Sequence, residues 1–379
     1  MFKVTFSFED GSMVETFANA GDNLLEVARS ANVAIDAPCS GNGACGKCRV
    51  QLKSGELESK KTLHISDEEY QAGWRLSCCS KISADVNVLV PDIASAYKSR
   101  MKVADLSSKE EIAIFENAKS DIQLAGIELK NSLEVVDVLM DVPSLDDTMP
   151  DNERLTRALR KYLNINRVRI PYVVLKKLPD VLRENNFAVK CVIRATSDDM
   201  YVYDIFGKDE DVVIGGLAID IGTTSVSAVL INMENGEILA KSSAGNGQIR
   251  FGADVINRIV ESQKPGGQKK LQDAVIKETI NPMIHEMCKS AKFPKDHIYR
   301  MCVASNTTMN HLFAGINSDP LRTEPYIPAF FKTNSLFASD VGIDINKDAH
   351  IIMAPNIGSY VGGDITAGTM VSQIWNRPE

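Results

Sequence analysis

Three cysteines and three glycines fall within eleven positions in PCSGNGACGKC, residues 38–48. Cys39, Cys45 and Cys48 stand as C-x5-C-x2-C, and 29 residues then separate Cys48 from the adjacent pair Cys78 and Cys79. Three clustered thiols with one distant partner are the pattern of a plant-type 2Fe-2S site, here with one extra residue in the first gap. A structural zinc site more often pairs two C-x2-C knuckles, and this chain has one. Gly41, Gly43 and Gly46 add a discriminator, because positive φ at these positions turns backbone amides toward sulfide, a shell that zinc does not require. Of Cys78 and Cys79, one can serve as fourth ligand without distortion. Cys191, Cys288 and Cys302 lie in apolar surroundings and read as core cysteines.

A second stretch with chemistry is DIGTT, inside GLAIDIGTTSVSAVL at 216–230. Such a turn suits a nucleotide's phosphates. Gly222 permits close backbone approach, the amides and hydroxyls of Thr223 and Thr224 can donate, and Asp220 can hold Mg2+ through water. The G-x-x-x-x-G-K signature of a Walker A loop is absent. A threonine-rich hairpin can also be only a turn; the order strand, DIGTT, strand, Asn235-Gly236, strand favours the phosphate reading. Further on, RMCVASNTTMNHLF reads as a strand breaking into a polar turn, with Asn306 and Thr307 as candidate nucleotide contacts. Asp364 follows two glycines in PNIGSYVGGDITAG, at an expected helix start. It is either an N-cap or a carboxylate that faces the phosphates and orients magnesium or water. None of the five histidines shows ligand spacing, and His311 is assigned a surface or core role.

These residues need elements to place them. Alternation at Val4, Phe6 and Phe8, then Asp10-Gly11 and a second alternating run, predicts a hairpin. A helix capped by Asp22 follows, with Leu24, Leu25, Val27 and Ala28 as its apolar face. CRVQLKSGELES reads as strand, turn and strand start, DEEYQAGWRL as a short helix, and SADVNVLVP as a closing strand. Residues 1–95 are thus a small sheet gripping one helix. Residues 96–125 read as a linker, although a capping box at Ser107 and Glu110 followed by Ile112, Ile114 and Phe115 is equally compatible with a packed helix. From 126 to 206 a strand, two helices and two strands make a small α/β domain without a catalytic constellation. Its basic run Arg154, Arg157, Arg160 and Lys161 reads as a solvated helix face. In the third module IRFGADVINRI starts a helix, and QKKLQDAVIKETINPMIHEMCK continues a longer one with a proline inside.

A chain of 379 residues, 44% hydrophobic and 24% charged, fits several globular modules rather than one. The net charge of -8, with 9 Lys and Arg against 13 Asp and Glu in residues 1–95, argues against nucleic acid as a partner. The opening MFKVTFSFEDGS lacks export signals and no apolar run approaches membrane-spanning length, which predicts a cytoplasmic address without membrane contact. In a reducing compartment, eight cysteines point to metal or redox chemistry rather than disulfides.

RLSC resembles the R-L-x-C ending of ferredoxin-like domains, which selects Cys78 as fourth ligand, and DIGTT resembles the first phosphate motif of the actin, hexokinase and Hsp70-type ATPases. Taken together, the cysteine loop, GLAIDIGTTSVSAVL, RFGADVINRI, NTTMNHLFAGI and YVGGDITAG occur in the order seen in the reductive activators of corrinoid-dependent methyltransferases and corrinoid iron-sulfur proteins. The branch that the chain resembles carries an N-terminal 2Fe-2S domain. The resemblance implies a β-grasp ferredoxin domain, a small α/β middle domain and, over residues 213–379, the first half of an actin-like ATPase fold. It implies a 2Fe-2S cluster, ATP and Mg2+, a corrinoid protein as partner, a low-potential electron donor and a possible homodimer. The implied activity is ATP-dependent reduction of inactive Co(II) to the Co(I) nucleophile. Each 100 mV of uphill transfer costs about 2.3 kcal/mol per electron, so a driving reaction is required.

Two features depart from that family pattern. The second D-x-G-T motif and the glycine-rich adenosine site are absent, so the second half of the ATPase is expected to lie on a longer product or a second polypeptide. Ser305 stands where a glycine is expected before NTT. Two other classes of function remain open on the sequence alone: a ferredoxin-type electron carrier with a docking domain that does not hydrolyse nucleotide, and an actin-like regulatory scaffold whose cluster senses redox state. The ligand assignment is testable directly. Cys78→Ser should abolish the visible absorption of the cluster while Cys79→Ser retains it; the reverse outcome reassigns the fourth ligand.

Overall fold

A computed structural model describes residues 1–8, 13–31, 33, 35, 37, 41, 43, 46–91, 109–127, 132–163, 165–196, 198–252, 254–333 and 335–376. Cys39, Cys45, the Asp10-Gly11 turn and the Ser107 cap lie outside these residues.

The first sheet has the order β2-β1-β5-β3-β4, formed by β1 (Phe2–Phe8), β2 (Met13–Ala18), β3 (Arg49–Ser59), β4 (Trp74–Leu76) and β5 (Ser80–Val90). β1 and β2 pair as the expected antiparallel hairpin, from Phe2 opposite Ala18 to Ser7 opposite Met13. The alternation of β1 buries Val4 and Phe6 against Leu24, Val27 and Ala28 of helix α1 (Leu24–Ser30), the β-grasp arrangement of the first domain. Asn23, not Asp22, caps α1. Its side chain accepts from the amides of Leu25 and Glu26, while Asp22 accepts from the Asn19 amide. The expected turn in QLKSGELES is absent, because β3 continues along β5 through register shifts on either side of Gly55. Gly55 has φ +90°, and a Cβ there would stand 2.0 Å from the Asp85 carbonyl oxygen, so the sequence signal of a turn marks a bulge instead. The short helix α2 (Asp67–Gln71) leads into β4.

Residues 109–124, inside the expected linker, form helix α3 (Lys109–Leu124), which packs on the last long helix of the described chain. The middle sheet has the order β6-β8-β9-β7, from β6 (Leu133–Leu139), β7 (Arg167–Arg169), β8 (Ala188–Ala195) and β9 (Asp199–Gly207). Helices α4 (Asp151–Leu163) and α5 (Tyr172–Glu184) pack on it through Leu155, Leu159, Val174, Leu178 and Leu182. Arg154 corrects the reading of a solvated basic face. It is buried, and its guanidinium donates to Asp147 Oδ2 and to the Asp141 and Asp147 carbonyls. These acceptors compensate the desolvated charge and tie α4 to the loop before it.

The third sheet, β12-β11-β10-β13-β14, joins β10 (Gly215–Ile221), β11 (Ser225–Asn232), β12 (Ile238–Gly245), β13 (Ile298–Ser305) and β14 (His350–Met353). β10, β11 and β12 form an antiparallel meander; β13 and β14 run parallel to β10 and β13 respectively. This mixed sheet, with helices on one face, is the half-fold of the actin-like ATPases that the sequence implies. Asn235-Gly236 sits in a five-residue connection from 233 to 237, longer than the expected two-residue turn, with Gly236 at φ +78°. Helices α6 (Val255–Ser262), α7 (Gly267–Val275) and α8 (Asn281–Ala291) cover the sheet, with one π-helical stretch at Ile276–Ile280 between the last two. That wider turn absorbs Pro282, which lacks an amide to donate. Cys191 and Cys288 are core residues as expected, but Cys302 is exposed. It points to the open face of the sheet, in register with exposed Ala218 and Ile352.

The middle and third sheets share a core. Leu133, Val192, Tyr203 and Phe206 meet Val212, Ile214 and Tyr299. Tyr299 donates to Asp204, which also pairs with Lys177, and Arg300 donates to Ser132. His350 lies beside Arg194, 3.2 Å from its guanidinium, and burial together with Arg194 and Arg300 lowers its pKa to about 4. A neutral imidazole therefore accepts at this joint.

Candidate functional site

The cysteine site follows from adjacent strand ends. Cys48 precedes β3, Ser77–Cys79 follow β4, and pairing of Arg49 with Leu76 brings the two segments side by side. Cys48 Sγ then lies 3.1 Å from Cys78 Sγ. The Ser77 amide donates to the Cys48 carbonyl at 2.8 Å, and Asn23 Nδ2 donates to the Cys78 carbonyl at 2.8 Å, so the cap of α1 also anchors a candidate ligand. Leu25 turns away from the main core to pack with Cys48, Ile65 and Leu76. Cys79 Sγ stands 3.6 Å from Cys78 Sγ. Among the described residues no three His, Cys, Asp or Glu side chains converge on one metal position, so Cys48, Cys78 and Cys79 make no site by themselves.

The surroundings fit an iron-sulfur group. Gly41, Gly43 and Gly46 all have the positive φ expected of an amide-lined loop, at +92°, +72° and +65°. A Cβ on Gly41 would stand 3.7 Å from Cys78 Cβ, so the loop passes directly over that residue. Ser77 Oγ is buried without a partner among the described residues, a spare donor beside the sulfur atoms. Burial, then the neighbouring Cys48 and Cys79, pushes the Cys78 thiol well above its ordinary range. Thiolate at that position therefore requires a cation, and metal uptake must release protons.

At the second site the structure gathers DIGTT, SNTT and GGD at one end of the third sheet. Asp220 is the penultimate residue of β10, on its open face, and the turn Gly222–Thr224 leads into β11. Asn306 is an N-cap, not part of a turn. Its Oδ1 accepts from the Met309 amide, so helix α9 (Thr307–Ala314) starts where the sequence suggested a polar loop. Its Nδ2 donates to Thr223 Oγ1 at 3.2 Å, which links the two threonine motifs. Thr307 Oγ1 donates to the Gly358 carbonyl. Ser305, where a glycine was expected, is buried and donates to Asn310 Oδ1. His311 is a satisfied core histidine, with Nδ1 at 2.8 Å from the Thr307 carbonyl and Nε2 accepting from the Ala329 amide.

Asp364 is not an N-cap. Helix α11 (Gly363–Ser372) is capped by Gly362, and Asp364 lies exposed in its first turn. Gly362 approaches the start of α9 so closely that a Cβ would lie 2.3 Å from Asn306 Cα. Partial burial and then the charge of Asp364 raise the Asp220 pKa, so the two candidate carboxylates act on each other. Two carboxylates within electrostatic reach of one another, near threonine hydroxyls, are a donor set suited to Mg2+, partly through water.

Sequence reading missed the layer behind the turn. Asn246, Gln248 and Arg258 are buried and touch it directly or in chain, and Asn356 joins Asn310 to the Gly363 amide. Asn356 Nδ2 has no partner among the described residues. A signal for Arg258 was present, since it shares a helical stripe with buried Ile259 and Ser262, where a charged residue is unusual.

The fold joins a ferredoxin-like iron-sulfur domain to half of an actin-like fold, each carrying one candidate site. Residues 7–83 match the 2Fe-2S iron-sulfur cluster binding domain, 122–212 the RACo linker region and 215–377 the RACo middle region. These matches give the chain the order of a 2Fe-2S domain followed by regions similar to the linker and the middle of RACo. It is 27% identical over 346 residues to the corrinoid activation enzyme RamQ of Eubacterium limosum, covering 91% of this chain and 51% of that protein. A solved structure of a reductive activator for corrinoid,iron-sulfur protein is similar over 100% of this chain and 59% of its own, with a TM-score of 0.60 and 31% identity. The first domain is also 35% identical over 91 residues to one component of the Na(+)-translocating NADH-quinone reductase of Actinobacillus succinogenes, covering 24% of this chain and 22% of that protein. The chain thus spans about half the length of the corrinoid activators it matches.

Asp364→Asn removes the charge that acts on Asp220. The Asp220 pKa should fall toward the ordinary carboxylate range yet stay above it, because desolvation persists. Carboxyl carbon NMR titration checks this, and an unchanged Asp220 would separate the two carboxylates.

Proposed function

We propose that this chain carries the electron-transfer and phosphate-binding parts of an activator that uses ATP to reduce the cobalt of a corrinoid protein from Co(II) to Co(I). The observation that carries this reading is the union in one chain of a 2Fe-2S domain with the Asp220, Thr223, Asn306 and Asp364 assembly. In this reading Cys39, Cys45, Cys48 and Cys78 hold the cluster, which supplies one-electron storage when bound. One electron comes from a low-potential donor and one leaves to cobalt. Asn23 and the Ser77 amide hold Cys48 and Cys78 facing each other. Thr223, Thr224 and Asn306 contact phosphate, Asp220 and Asp364 hold Mg2+ and orient water, and Thr307, expected from the sequence as a further contact, is buried with its hydroxyl on the Gly358 carbonyl and supports the helix start behind them.

The domain boundaries proposed with it are 1–95 for the ferredoxin domain, 96–125 for the linker, 126–206 for the middle domain and 213–379 for the ATPase half. The shared core of the middle and third sheets makes those two parts one body. Nucleotide can drive an uphill transfer if it binds two arrangements of the activator with its partner unequally. The open sheet face at Asp220, Cys302 and Ile352, and the exposed Ile365 and Val371 of α11, support completion of the site by further polypeptide. The complete polypeptide, reconstituted with iron and sulfide and supplied with a low-potential reductant, should generate the Co(I) spectrum in a corrinoid protein faster with MgATP than without. Equal rates with and without nucleotide would contradict the proposal.

A further inference from the structure

Three successive carbonyls of the phosphate turn point into the protein. The Gly222 carbonyl accepts from Asn246 Nδ2 at 2.8 Å, the Thr223 carbonyl from Arg258 Nη2, and the Thr224 carbonyl from the Asn246 amide at 2.9 Å. In a trans peptide the N–H lies opposite the C=O. Carbonyls held inward at Gly222 and Thr223 therefore turn the amides of Thr223 and Thr224 outward, toward the side where Asn306 Nδ2 meets the Thr223 hydroxyl.

The residue behind this arrangement is a buried cation. Arg258 is 0% exposed. Its guanidinium also donates to Gln248 Oε1 at 3.1 Å, to the Gly252 carbonyl at 2.8 Å and to Met309 Sδ at 3.1 Å. None of these acceptors is a carboxylate. Asp254, the acidic group that acts on it electrostatically, spends its oxygens on the amide and side chain of Asn257. Burial lowers the Arg258 pKa to about 10, which leaves the group protonated at neutral pH. A buried charge without a directly bonded counter-ion is costly, and an apolar side chain of similar volume would fill the space without that cost. An anion on the far side of the turn would offset it.

Resting on the phosphate reading of DIGTT, we infer that Arg258, with Asn246, is a positioning residue that fixes the polarity of this turn and supplies the buried positive charge behind a bound polyphosphate. It acts through the Thr223 peptide without touching the ligand. Specificity for a polyanion over a neutral nucleoside follows from this layer as well as from the half-buried threonines of the turn.

Calorimetric titration of the complete polypeptide with magnesium tripolyphosphate and with MgATP tests the inference. Arg258→Met should weaken both ligands at least about tenfold, whereas Arg258→Lys, which keeps the charge, should stay within about threefold of the parent. Equal binding by the parent and Arg258→Met overturns the inference while leaving the phosphate reading intact. No binding of either probe to the parent overturns both. A second measurement needs no variant: in parent protein labelled with 15N-threonine, the Thr223 and Thr224 amide signals should shift on adding magnesium tripolyphosphate. Binding without a shift at either amide overturns the proposed polarity.

Discussion

Two sulfur atoms thirty residues apart in sequence must face each other for this molecule to hold an electron. Cys48 and Cys78 do so because β3 and β4 pair at Arg49 and Leu76, and because the cap of α1 holds the Cys78 carbonyl. The sheet, the helix it grips and the glycine loop are the means to that end. The Cys78 thiol, buried beside Cys48 and Cys79, resists ionisation, so this position suits a metal rather than free thiolate chemistry.

The rest of the chain answers a different electrostatic problem. A polyphosphate needs donors, and a peptide turn offers donors on one side only if its carbonyls are satisfied on the other. Asn246 and Arg258 satisfy them. Around that turn, Asn306 starts a helix at the same edge and Gly362 lets α11 close on it, bringing Asp364 within electrostatic reach of Asp220. The middle domain shares apolar core with this body through Tyr203 and Tyr299. Under the proposed function, a nucleotide bound at the third sheet would therefore be placed to move the middle domain with it.

Much of this was legible in the sequence, for reasons that differ by residue. The alternation of Val4 and Phe6 and the apolar stripe of α1 located the first core, since burial on one face imposes a period. The DIGTT, NTT and GGD segments drew attention as a candidate site through their small and hydroxylated residues, and the fold brings them to one end of the third sheet. The failures share a cause: local sequence pattern does not show which backbone or side-chain group the tertiary fold sets against a residue. Arg154 is buried because Asp147 and nearby carbonyls meet it, and Arg258 because the Thr223 peptide does. Gly55 marks a bulge because the Asp85 carbonyl crowds it from another strand. Cys302 reads as core from its apolar neighbours, yet the strand's period of two sets it on the open face.

The account rests on the four thiols gathering a two-iron group in the first domain, and elemental analysis with electron paramagnetic resonance addresses that claim most directly. Anaerobically reconstituted chain should contain two irons and two acid-labile sulfides and, on one-electron reduction, show the signal of a single unpaired spin. Colourless protein that binds one zinc and no labile sulfide would contradict it.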